Sequence, residues 1–471
     1  MGIVLSGGTV VTAADCFEAD VRIEGERITA VGVGIRHAAD KVLDVTGCLL
    51  LPGGIDAHTH FDLPVGETVT ADDFGRGSKA ALLGGTTTII DFATQFKGET
   101  LSQALANWHE KAAGKTFTDY GFHMAITDWN EAVRQEMGRL VDTAGVSSFK
   151  LYMAYKNTLQ VDDAVLLQAL RRSRECGALV CLHCENGDIV DSLIRETLAA
   201  GQTAPCFHPV TRPVTAEREA TVRAISLAEV AQAPLYIVHL TCRLALDEVV
   251  KAKGRGVEVY AETCPQYLLL DESYYQKEGF EAAKYVISPS LRPRENQESL
   301  WNGLRSGALD TLATDHCAFN FQGQKELGRS DFSKIPNGMP GVETRLGLLY
   351  TYGVLPGRIS LNQFVALSST QPAKLFGLFP RKGAIAAGSD ADIVVWDPNR
   401  SAVITAAAQQ EETDYAPFEG FRQEGKAVQV FLRGRQVVRD GQLIEDRPGG
   451  IYLSRKPFRA RKGGDNVQHK P

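Results

Sequence analysis

The 471-residue sequence has no apolar run near the ~18 residues that a membrane-spanning helix requires. Its N-terminus lacks a basic segment followed by an apolar core, so no secretion signal is read there. A loose myristoylation pattern, Met1-Gly2 with Ser6, is outweighed because residues 3 to 13 read as a structural strand. Positive charge is in short supply. Fifty Lys and Arg against 57 Asp and Glu give a net charge of −7 and a pI near 5.9, which offers no attraction to nucleic acid or an anionic membrane. The one basic stretch, Arg455 to Lys462, reads as a solvated tail. The nine cysteines are scattered and odd in number, in a chain too large to need disulfide staples, so reduced thiols in a cytoplasmic protein are expected. Cys181 and Cys184 form a CxxC, but no second such pair completes a structural zinc site. Gly114-Lys115-Thr116 resembles the end of a phosphate loop, yet the position that should hold its first glycine is His109.

What is present is ordinary globular composition, 44% apolar and 23% charged, arranged in two styles. Residues 2–51 and 383–444 are short strands broken by turns, among them Ala391 to Trp396 and Ala427 to Leu432. Neither end holds enough strands for a good sheet pair, so together they predict one small β-sandwich built from both termini. Between them, eight apolar runs alternate with helical stretches. The runs are Cys48 to Leu51, Thr86 to Phe92, Tyr120 to Thr127, Ser148 to Leu151, Ala178 to Cys184, Leu235 to Leu240, Val257 to Thr263 and Asp310 to Thr314. The stretch Asp162 to Arg174, with Val165, Leu166 and Leu170 at helical spacing, is typical of the intervening segments. That alternation predicts an α/β fold, a (β/α)8 TIM barrel of residues 52–381. The sandwich takes 1–51 plus 382–450, and 451–471 is left as a C-terminal tail.

Catalytic groups in such barrels sit where the strands end. Here the strand ends deliver His58 and His60, Lys150, His183, His239 and Asp315 to one rim. A single histidine at a strand end is more often structural. Four of the chain's ten histidines at matching ends, with an aspartate at another, point to metal. His58 and His60 are one residue apart, so both side chains of an extended segment face the same way. Imidazole with carboxylate suits zinc, while manganese, iron or cobalt fit the same donors. Six ligands exceed the three a single catalytic zinc takes, so two divalent ions are expected. Lys150 is awkward in such a set, because an ammonium has no lone pair and would be repelled by the ions. A carbamate formed from carbon dioxide and the neutral amine would instead be a bridging carboxylate; a structural lysine is the other reading. Asp56 is read either as an orienter of a ligand histidine or as a turn residue.

At these residues the sequence resembles the dihydropyrimidinase and D-hydantoinase family of the amidohydrolase superfamily. The resemblance runs nearly end to end: PGGIDAHTH at 52–60, GGTTTIIDFA at 84–93, SSFKLYMAYK at 147–156, ETCPQYLLLD at 262–271, TDHCAF at 314–319, PNGMPGVETR at 336–345 and GSDADIVVWDP at 388–398. It implies hydrolytic ring opening of cyclic amides, with Lys150 carboxylated and bridging two ions. His58, His60 and Asp315 would serve one ion, His183 and His239 the other. Tyr155 would stabilise the oxyanion, and backbone groups of Ser288 and Asn337 would grip the ring. The resemblance also implies a homotetramer. One departure is Ala318, where the family often has proline, and it bears on loop shape alone.

Relatives that act on dihydroorotate place an arginine two residues after the second histidine. Asp62 stands there instead, so a carboxylated substrate would be repelled. Dihydropyrimidines and 5-substituted hydantoins are expected, the resemblance implies a D preference, and allantoin is the alternative. By the resemblance, the ring substituent would meet Leu63, Val65, Tyr152 and Leu159. A non-catalytic scaffold, known in this fold family, is disfavoured by the complete ligand set with Tyr155.

Overall fold

The structure, a computed structural model, describes residues 2–458. Eight parallel strands form the barrel sheet: Gly54–Thr59, Thr86–Thr94, Asp119–Ala125, Ser148–Tyr152, Leu179–His183, Leu235–Ile237, Val259–Thr263 and Thr311–Leu312. Helices cross between successive strands, and their boundaries follow from local chemistry. Asp73, Thr100, Asn130 and Asp162 each accept a backbone N–H of the first turn. Gly145 and Gly177 end two of these helices at φ 67° and 69°, a conformation that favours glycine.

The barrel's closing seam, between the first strand and the two-residue eighth strand, relies on side chains. Asp56 accepts from Thr314 Oγ1 at 2.7 Å, from Thr314 N at 3.2 Å and from His58 N at 3.2 Å. Arg345, fully buried, donates to Ile55 O at 3.0 Å and Leu312 O at 2.9 Å, so it ties the same two strands. His60 N completes the seam on His316 O at 2.8 Å. Asp56 is therefore the staple of the seam; its carboxylate bonds reach Thr314 and the His58 backbone.

Both termini meet in the second layer. A four-stranded sheet has the order Arg27–Gly32, Asp20–Glu24, Ile3–Ser6, Lys41–Asp44. A seven-stranded sheet joins Thr9–Val11 and Leu49–Pro52 to Ile393–Val403 and Arg422–Leu432. Leu5, Val10, Val21, Leu50, Ile393, Val395 and Phe431 pack together as their shared core.

Two expectations are corrected. The run Cys48 to Leu51 is not the first barrel strand; Leu49–Pro52 pairs antiparallel with Ile393–Val403 in the sandwich, and the barrel begins at Gly54–Thr59. An apolar run does not reveal which sheet it joins, and the true strand carries Asp56, His58 and Thr59, so it looks too polar to be buried. The basic stretch is not wholly solvated either. Arg455 is 2% exposed and donates to Phe122 O, while Leu453 N donates to Tyr120 O at 2.7 Å. Leu453 and Phe458 join Phe376 and Leu378 against the inward-facing Ile55, Ile90, Leu179 and Tyr236, plugging the barrel at the strand starts. Residues 459–462 of that stretch lie outside the described residues.

Replacing Leu453 by alanine removes a fully buried plug residue. A loss of about 2–5 kcal/mol is expected in urea unfolding, with metal content at the opposite rim unchanged.

Candidate metal centre

The six donor residues come together as the strand count requires. His58 lies within the first strand and His60 one residue beyond it; Lys150 is central in the fourth, His183 ends the fifth, and His239 and Asp315 follow the sixth and eighth. Asp91, on the second strand, accepts from Thr59 Oγ1 at 2.8 Å and Phe61 N at 2.9 Å, fixing the segment that carries both first-strand histidines. His239 and Asp315 adopt φ of 38° and 53°, and Tyr155 of 67°. Such conformations cost on the order of 1 kcal/mol or more each in a non-glycine residue. Their concentration at this rim marks a place where geometry outranks local stability.

Asp315 Oδ1 lies 3.1 Å from His58 Nε2 and 3.2 Å from His60 Nε2, and the three side chains form a group able to hold an ion. His183 Nδ1 and His239 Nε2 face each other at 2.9 Å. The ring centroids of His58 and His239 are 5.4 Å apart, so the two groups adjoin. The outward nitrogens identify the ligating ones. His58 Nδ1 is held by Glu262 Oε1 at 2.6 Å, which leaves Nε2 to point inward. His183 Nε2 is held by Glu185 Oε2 at 2.8 Å, which leaves Nδ1. Glu185 is in turn bound by Arg212 Nη1 at 2.7 Å. Carboxylates that orient histidines from behind are the usual support of a metal site.

Sequence reasoning missed Glu262 and Glu185. Each had a signal: Glu262 is the one acid near the end of the seventh strand, and Glu185 stands two residues after a ligand histidine.

The electrostatics fit a cation site. Burial opposes the charged form of His58, but Asp315 and Glu262 outweigh it and raise the group to about 9. Burial, with the nearby His58 and Lys150 charges, holds His60 down at about 4. Burial also works against ionising Asp315, yet His58, His60 and His239 keep it well below the usual carboxylate range. Lys150, 1% exposed, is pulled down by burial to about 8, its Nζ 5.2 Å from the ring centroids of Phe92 and of Tyr152. Two imidazole nitrogens, His60 Nδ1 and His239 Nδ1, are buried without a partner among the described residues. Four imidazoles, a carboxylate and a depressed lysine in one buried rim fit two divalent ions.

Beside this rim, the Tyr155 ring lies 5.0 Å from that of His183 and 5.9 Å from that of Tyr152. Leu159 follows on the same loop, its N–H on Tyr155 O at 3.1 Å. Asn337 Oδ1 is buried and unpartnered among the described residues, and the buried Ser288 Oγ faces the Tyr155 hydroxyl. Leu63 packs against the main core, and Val65 sits in the short hairpin Pro64–Val65 with Thr68–Val69. The half-buried Asp62 adopts φ 52°, and its carbonyl accepts from Lys111 Nζ.

The amidohydrolase family model matches residues 49–437, a span that includes all six donors. This chain belongs to the amidohydrolase family. It is 49% identical over 465 residues to a D-hydantoinase of Geobacillus stearothermophilus, covering 98% of each chain. A D-hydantoinase of Ralstonia pickettii is 45% identical over 459 residues, 98% of this chain and all of its own. The crystal structure of a dihydropyrimidinase from Brevibacillus agri NCHU1002 matches with a TM-score of 0.97 at 50% identity, over 98% of this amidohydrolase and 100% of that chain. No described helix of the amidohydrolase is long and apolar enough to cross a membrane.

Because Glu262 sets the tautomer and angle of His58, Glu262→Gln is expected to weaken metal binding about 10- to 100-fold. Titration of metal-free protein with zinc against a chromophoric chelator measures this directly; unchanged affinity would remove Glu262 from the site.

Proposed function

We propose that this chain hydrolyses cyclic amides, opening 5-substituted hydantoins, with D preference, and 5,6-dihydropyrimidines to N-carbamoyl amino acids. The observation that carries the reading is a buried lysine, depressed to about 8, lying among four histidines and an aspartate. Burial favours the uncharged amine, the form that adds carbon dioxide to become N6-carboxylysine. His58, His60 and Asp315 would hold one ion, His183 and His239 the other, with carboxylated Lys150 between them. Zinc suits this set best, and manganese or cobalt fit it. Relatives named D-hydantoinase at 45–49% identity support both the substrate class and the D preference.

When bound, the two ions supply hydroxide at neutral pH and polarise the ring carbonyl. The remaining work falls to side chains. Asp315, held as a carboxylate well below the usual range, takes the proton released on attack and returns it to the departing ring nitrogen. Burial raises Tyr155 above the ordinary phenol, so its hydroxyl stays protonated and donates to the developing oxyanion. Backbone groups of Ser288 and Asn337 orient the ring amide. Leu63, Val65, Tyr152 and Leu159 receive the 5-substituent. We further propose that the barrel of 52–381 carries the chemistry and that the sandwich of 1–51 with 382–450 braces it. The buried Lys382, on Asp119 at 2.6 Å and Asp392 at 2.7 Å, supports such a joint. A cytoplasmic homotetramer completes the proposal, by kinship.

Metal content and hydrolysis of dihydrouracil and 5-phenylhydantoin, on wild type and Lys150→Ala, test the mechanism. Two ions per subunit with turnover, both sharply reduced in the variant, are expected. Full activity in Lys150→Ala would sink the bridging lysine, and a metal-loaded wild type that opens neither ring would redirect the reading to allantoin. For the pocket, Leu159→Ala is expected to shift the rate on bulky aryl hydantoins relative to hydantoin itself. An unchanged ratio removes Leu159 from the pocket.

A further inference from the structure

A second lysine, Lys325, is buried as completely as any residue in the protein. Its Nζ donates to three backbone carbonyls, Val286 O at 2.9 Å, Pro336 O at 2.7 Å and Gly338 O at 2.7 Å. An ammonium has three N–H bonds, and all three are engaged without a carboxylate among the acceptors. The Phe319 ring, 5.7 Å from Nζ, lends further cation stabilisation. Burial works against the charge, and the three carbonyl dipoles and the ring answer it in place of a carboxylate. Burying a charge on carbonyl dipoles is a costly way to hold a loop, and apolar packing commonly holds one at least as well. The arrangement calls for a role that packing does not fill.

The three acceptors supply it. Pro336 and Gly338 flank Asn337, and Val286 stands two residues before Ser288. In a trans peptide the C=O and the next N–H point in opposite directions. With Pro336 O turned onto Nζ, the Asn337 N–H is turned away from the lysine. Val286 O also receives Gly338 N at 3.0 Å, so the two segments are stitched to each other as well as to Lys325. Ile287 O is fixed from a third side by His208 Nε2 at 2.7 Å. The 338 segment is pinned to the metal rim in turn. Cys317 N donates to Met339 O at 3.1 Å, and a Cβ on Gly338, at φ 147°, would lie 2.2 Å from Cys317 O. Lys325 thus sits at the hub that sets the spacing between Ser288, Asn337 and the strand end carrying Asp315.

We propose that Lys325 is a positioning residue for substrate: it clamps segments 286–288 and 336–338 so that the backbone groups of Ser288 and Asn337 meet the ring amide at fixed separation from the metal rim. This rests on the reading of those two residues as the ring's anchors. The lysine itself touches no reacting atom.

The test uses the metal-loaded enzyme with Lys325→Met, which keeps an unbranched apolar stem as far as Cε and removes the ammonium, and Lys325→Gln, which keeps two donors on a shorter stem. Metal content, thermal unfolding, and kcat and KM for dihydrouracil are measured for both and for wild type. A KM raised about 10- to 100-fold in Lys325→Met is expected, with metal content retained and kcat lowered by a smaller factor. Lys325→Gln is expected to recover part of that loss. Unchanged KM in Lys325→Met alongside an active wild type overturns the clamp while leaving the proposed function standing. Loss of metal or of folding in both variants also overturns it, by assigning Lys325 to the fold. A wild type inactive on every ring offered refutes the proposed function itself, and the clamp with it.

Discussion

The first and last barrel strands bring together His58, His60 and Asp315, a group able to hold an ion, and they are also the two strands whose pairing is least regular. Thr311–Leu312 is only two residues long, so the barrel is closed there by the Asp56 carboxylate above and the Arg345 guanidinium below. The same seam sets His58 and His60 on one side against Asp315 on the other, with their reactive atoms 3.1 and 3.2 Å apart. Closure of the fold and assembly of the site are therefore one event. Asp56, raised by burial against the opposing influence of Arg345 and Thr314, belongs to both.

Around that seam the charges are layered. Donor atoms face inward, while Glu262 and Glu185 hold the outward nitrogens of His58 and His183, and Arg212 backs Glu185. Each layer limits the freedom of the one inside it, so the nitrogens left facing inward are selected by carboxylates that stand behind the histidines. Burial does the rest. It lowers Lys150, raises Tyr155 and tips the balance between charged and neutral forms across the rim. In the proposed clamp Lys325 extends this logic to substrate, since its ammonium gathers three backbone carbonyls as the outer carboxylates gather histidines.

Much of this was legible in order of residues, and the gaps have a common cause. The six donors stood out because each interrupts or ends an apolar run, a contrast visible over five or six positions. Glu262 carried a comparable signal but acts on a histidine 204 residues away, and Asp56 on a threonine 258 away. No local pattern encodes such a pairing. The strand Gly54–Thr59 escapes sequence reading for a related reason: its polar side chains are satisfied only by distant partners, so locally it resembles a loop. Arg455 read as a surface charge because its acceptor, Phe122 O, is supplied by another strand.

What the sequence determined by itself is seven of the eight barrel strands in alternation with amphipathic helices, the sandwich drawn from both ends, and the chemical types of the donors. Those properties depend on periodicity and side-chain identity over short spans. Tertiary structure decided which sheet Leu49–Pro52 enters, which nitrogen of each histidine faces inward, and that the segment ending at Phe458 plugs the barrel. It also decided that Lys150 and Lys325, chemically identical residues, are buried in different company. One lies among metal donors and the other among carbonyls. The difference is one of desolvation and of neighbours brought together by closure, and neither exists until the chain is folded.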